Sequence, residues 1–121
     1  MEKIIQLEGR DIRISLSNRA IQALQRRHVP LLVELELYFS CLIRKRVIFS
    51  DTDRADGATS VTDNLNLLFR PVMSRACQVD NTAAAPDLID FPLANKQAVV
   101  PGWVNIDYRR GQWLGEFGYA G

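Results

Sequence analysis

The chain has 121 residues, of which 47% are hydrophobic and 24% charged, and its formal net charge is +1. That balance excludes an intrinsically disordered chain and gives no dominant charge field to draw it to a polyanion or a membrane. One domain spanning residues 1–121 is expected, large enough to fold without disulfides or a structural metal.

The opening MEKIIQLEGR lacks the apolar run of a secretory leader. No stretch approaches the roughly 20 apolar residues of a membrane-spanning helix, so a cytoplasmic protein is expected. Ile5 and Leu7 alternate with polar residues, as do Ile12, Ile14 and Leu16 after Gly9 and Arg10. A two-residue turn at Gly9-Arg10 would pair Leu7 with Ile12 and Ile5 with Ile14. Its weak point is Glu8 opposite Asp11, a like-charge pair beside the turn.

A helix is predicted from Ser17 to about His28. Ser17 is a fitting N-cap, and Pro30 forces the preceding residue out of the helical region. Ala20, Ile21, Leu24 and His28 share its apolar face. Between Val33 and Phe49, eight of the nine odd-numbered residues are apolar, Lys45 being the exception. That two-residue period predicts one long strand, bent by a bulge or passing between two sheets. Ser50 to Asn64 reads as a polar loop. Leu65 to Val79 alternates again, with Pro71 marking an edge, a bulge or a break. Asp80 to Ala98 reads as a long ordered loop, with Leu88, Ile89, Phe91 and Leu93 tucked onto the core. From about Gly102 to Tyr119 a second hairpin is expected. A turn at Arg110-Gly111 would pair Tyr108 with Trp113, Ile106 with Gly115 and Val104 with Phe117. Gly115 there leaves room for another chain element to approach.

The predicted fold class is α+β: a mostly antiparallel, twisted sheet or a small, partly closed barrel. One helix from the N-terminal half packs on it. Cys41 and Cys77 fall on apolar positions and read as buried thiols. No Cys/His cluster accompanies them, and no cofactor is expected.

Five features are candidates for chemistry or binding. Asp51, Asp53, Asp56, Gly57 and Asp63 resemble an oxygen-rich calcium loop, though the same residue types make ordinary surface turns. Arg44, Lys45, Arg46, Arg109 and Arg110, with Arg26 and Arg27, would bind single-stranded nucleic acid if they converged beside exposed aromatics. Cations at strand edges and helix ends have structural uses as well. Glu34 and Glu36 project to the same side of one strand. His28 is the only histidine, with no orienting acid or nucleophile identifiable beside it. Trp103, Tyr108, Trp113, Phe117 and Tyr119 crowd the last nineteen residues. Of these, Trp103, Phe117 and Tyr119 form the expected partner or self-association surface.

The sequence carries none of the common hydrolase, metalloprotease, phosphate-loop or dinucleotide motifs. The leading expectation is a non-enzymatic binding module that meets a protein partner or itself as a homodimer, with no membrane involved. Single-stranded nucleic-acid binding stands second. A cation-dependent enzyme built on Glu34, Glu36 and the Asp51–Asp63 loop stands third.

Overall fold

In chain order the elements are β1 (Glu2–Leu7), β2 (Arg10–Leu16), α1 (Asn18–Gln25), β3 (Leu31–Phe39), β4 (Ile43–Asp51), β5 (Thr59–Thr62), β6 (Leu65–Ser74), β7 (Leu88–Asp90), β8 (Trp103–Arg109) and β9 (Gln112–Gly118). The structure is a computed structural model describing residues 1–39, 43–51, 57–74, 88–90 and 99–119.

Two turns with the same chemistry form the terminal hairpins. Glu8 and Gly9 join β1 to β2 at φ 51° and 81°, and Arg110 and Gly111 join β8 to β9 at 52° and 77°. Positive φ at both central residues marks a type I′ turn, whose twist matches that of the strands it joins. The β8–β9 register is the expected one, with Tyr108 opposite Trp113 and Val104 opposite Phe117. The β1–β2 register differs. Glycine takes the second turn position, so Leu7 pairs with Arg10 and Ile5 with Ile12. The slide is by two residues, so every side chain keeps its face. It also removes the Glu8–Asp11 repulsion, because Asp11 now stands opposite Gln6.

The single long strand expected from Val33 to Phe49 is instead an antiparallel pair, β3 and β4, with Phe39 opposite Ile43. Three residues connect them, and this odd number hides the turn. Odd positions pair with odd positions, Val33 with Phe49 and Leu35 with Val47, so the alternation crosses the turn without changing phase. The polar loop before Asn64 closes with strand β5, whose Val61 is buried. Leu88–Asp90, expected within a loop, forms β7 on β6. Phe91, Leu93, Cys41 and Cys77 lie outside the described residues.

The α+β class holds and most strand pairings are antiparallel, but among the described residues the expected one sheet or partly closed barrel is two mixed sheets. One has the order β1-β2-β8-β9; the other has β4-β3-β6-β5, with β7 also on β6. Each joins two antiparallel pairs through parallel inner strands, β2 with β8 and β3 with β6. Pro71 therefore sits in an inner strand. On the side away from β3, β5 pairs with β6 up to Leu67 and β7 pairs from Val72 onward. Pro71 falls between these two pairings, where its missing N–H removes no bond to either strand.

One apolar cluster joins the sheets. Ile12, Ile14, Val104, Ile106 and Phe117 meet Val33, Leu35, Leu65, Leu67 and Phe69. Each fully buried side chain of this size contributes roughly 1.5–3 kcal/mol. Ala20 and Leu24 bring α1 onto the same cluster. Gly115 lets the edges of the two sheets close on each other. A Cβ there would stand 2.9 Å from both Val47 and Phe49 of β4. This is the approach the sequence had room for.

Candidate functional site

Ser17 and Asp107 lock the helix to the second hairpin across 90 residues of chain. The Ser17 hydroxyl accepts from the Ala20 amide at 3.1 Å, capping α1, and donates to Asp107 Oδ1 at 2.5 Å. Asp107 also accepts the Tyr108 amide at 2.8 Å, Arg109 Nε at 2.9 Å and Arg19 Nη2 at 3.2 Å. These donors, Ser17 first and then the Tyr108 amide, hold its carboxyl down at about 2, against an ordinary 3.8. The aspartate stays ionised and keeps Arg19 and Arg109 on one side of the hairpin tip.

That arrangement creates an arginine-lined cleft. Arg19, Gln22 and Arg26 come from α1 and its C-cap, while Arg109, Arg110 and Gln112 come from the β8–β9 tip. They surround about 710 Å³, with Tyr108 also in the wall. Arg19 and Arg109 remain more than half exposed. Among the described residues, Arg26 and Arg110 have no ion-pair partner, and Asp107 is the one carboxylate bonded to these arginines. A neighbouring cavity of about 350 Å³ is lined by Arg26, Arg27, Tyr108 and Trp113. Trp113 packs edge-on to Tyr108 at 4.8 Å and stacks with Phe49 at 6.0 Å.

The helix ends sooner than its sequence pattern suggests. It stops at Gln25, and the Arg26 and Arg27 amides turn back to Ala23 and Leu24 in a tighter final turn. The Asn64 side chain donates to the Leu24 carbonyl at 3.0 Å, satisfying part of that end. His28 consequently leaves the apolar face and is exposed. Arg27 turns from the cleft to the Val29 carbonyl and to the Asp51 carboxylate.

The basic residues singled out by sequence divide into two groups. Arg109 and Arg110 meet Arg26 in the cleft; Arg44, Lys45 and Arg46 do not join them. Phe49 stacks with Trp113 near the tip, whereas Lys45 lies 6.0 Å from the Phe117 ring centroid. Phe117 is five residues along β9 from Gln112, or about 17 Å of strand. Arg46 lies 3.0 Å from Glu36, on the outer face of the other sheet.

The expected aromatic surface also separates. Phe117 is core, at 2% exposure, and presents nothing to a partner. Trp103 lies on the opposite face of β8, against Gly118. Tyr119 is exposed, and its hydroxyl donates to the Val99 carbonyl at 2.8 Å. Of the acidic loop, Asp51 holds Arg27 and Asp63 is exposed in the β5–β6 turn. Asp53 and Asp56 lie outside the described residues. Glu34 and Glu36 do project together, but between arginines: Arg46 beside Glu36 and Arg70 Nη1 3.9 Å from Glu34 Oε2.

Sequence reading missed Arg19 and Gln22, which no motif or apolar spacing marks. The signal that finds them is the Ser17–Asp107 bond, which no local pattern contains. Comparison with protein-family models, with curated proteins and with solved structures finds no match for this chain.

Proposed function

We propose that this chain is a non-enzymatic, cytoplasmic binding module whose cleft between α1 and the β8–β9 tip grips an anionic partner segment. The observation that carries the reading is the convergence of Arg19, Arg26, Arg109 and Arg110 around one cleft, with Asp107 the one carboxylate balancing them among the described residues. Guanidinium forks bind carboxylates and phosphates in two-pronged fashion and keep their charge at any physiological pH. They do not exchange protons there, so the cleft is suited to recognition and not to acid–base chemistry.

Fluorescence anisotropy with a labelled oligoglutamate peptide at low salt tests this. Arg26→Glu and Arg110→Glu should each weaken binding at least about tenfold, the loss of one charge-assisted contact. No binding by the wild type at concentrations where it is monomeric, or equal weakening by Arg44→Glu, overturns it. Single-stranded nucleic acid is the second reading, favoured by Tyr108 and Trp113 beside Arg26 in the adjoining cavity. Tighter binding of a labelled oligothymidylate than of the peptide, lost in Tyr108→Ala, would select it.

A further inference from the structure

We propose that the partner of this cleft is a second copy of the chain, docked face to face through the outer surface of the β1-β2-β8-β9 sheet. The inference rests on the cleft reading and names its occupant.

Strand alternation puts Asn105, Asp107 and Arg109 of β8 on that surface with Glu116, Leu114 and Gln112 of β9, as directly opposed pairs. The Asn105–Glu116 row continues across the sheet through Ser15 to Glu2. This row lies to one side of the Asp107–Leu114 row. It borders a groove of about 600 Å³ in which Glu2 and Glu116 outnumber the Met1 ammonium and leave the lining net acidic. The arginine cleft lies on the other side. Leu114 lines both and is 45% exposed. An apolar centre with acid on one flank and base on the other is complementary to itself.

A two-fold axis along the Asp107–Leu114 row exchanges the flanks. It stacks Leu114 on its own copy and carries Glu116 of each chain over Gln112 and the Arg109–Arg110 tip of the other. The spacing fits, because Glu116 and Gln112 each lie two residues from Leu114, about 7 Å on either side. Stacked sheets stand about 10 Å apart, a gap that facing arginine and glutamate side chains bridge. Asp107 lies on the axis and would face its own copy. It is already neutralised within its chain by Arg19 and Arg109. Such a contact is isologous and closes at two subunits.

Sedimentation equilibrium at low salt tests the proposal. The wild type should be a dimer that weakens as salt is raised. Arg110→Glu and Glu116→Arg should each raise the dissociation constant at least about tenfold. Both positions are exposed in the single chain, so circular dichroism melts under dilute, high-salt conditions that keep the chain monomeric should match the wild type. An equimolar mixture of the two variants should recover the dimer, because both charge pairs in the mixed dimer are then opposite in sign. A wild type that stays monomeric, or a mixture that fails to recover, overturns the proposal. A monomer that still binds the oligoglutamate peptide leaves the cleft reading standing; a monomer that binds none defeats both.

Discussion

The outer faces of the two sheets treat charge in opposite ways. On the β4-β3-β6-β5 sheet the outward positions Leu32, Glu36 and Val72 are buried, at 5%, 3% and 0% exposure. Glu36 there faces Arg46 on β4 and Arg70 on β6 by register. Arg46 Nη2 stands 3.0 Å from Glu36 Oε1, off the direction of a good hydrogen bond, so the contact is ionic. On the β1-β2-β8-β9 sheet, Asn105, Leu114 and Glu116 are exposed, and so are the arginines of the cleft. A buried carboxylate must be neutralised by its own sheet, because its desolvation is otherwise uncompensated. An open face carries no such demand and can keep its charges for a partner.

The comparison breaks most completely if the shared layer between the faces is opened. Phe117→Ala should cost about 3–5 kcal/mol in urea unfolding, the usual loss for a buried phenylalanine. Next come the two members of the buried ion pair. Arg46→Met leaves a buried carboxylate without its nearest counter-charge and should cost roughly 1–3 kcal/mol. Glu36→Gln leaves only an exposed arginine and should cost less. Equal losses would contradict the asymmetry. Gly115→Ala tests the closed edge, where overpacking against Val47 and Phe49 should cost about 1–3 kcal/mol. On the open face, Glu116→Gln should change the stability of the monomeric chain by no more than about 0.5 kcal/mol.

The smallest effect is pH-dependent. Asp107 is held at about 2 in the folded chain against an ordinary 3.8. Its contribution is complete above 3.8 and is lost as pH falls toward 2. Melting temperatures of Asp107→Asn should therefore fall less steeply than those of wild type between pH 4 and 2. Parallel curves would show that the aspartate does not anchor the tip.

How much of this was legible follows from the range of each interaction. The β8–β9 register and the close approach at Gly115 could be read, because a short turn and an alternating pattern determine them locally. The same alternation misled between Val33 and Phe49, since a three-residue connection preserves its phase. The first hairpin kept its faces while its register slid, because only the turn type distinguishes the two pairings. The parallel β2–β8 and β3–β6 contacts join distant segments with no signature in either strand alone. The cleft was half visible. Arg26, Arg109 and Arg110 were candidates, but a serine hydroxyl bonded to an aspartate 90 residues away decides that they meet.

The most direct test of the central claim is an amide chemical-shift map of the labelled protein titrated with the oligoglutamate peptide. The account predicts that shifts concentrate at residues 19–26 and 108–112, lining the cleft. Shifts concentrated instead at Arg44–Arg46 on β4, or spread evenly over both sheets, would contradict it.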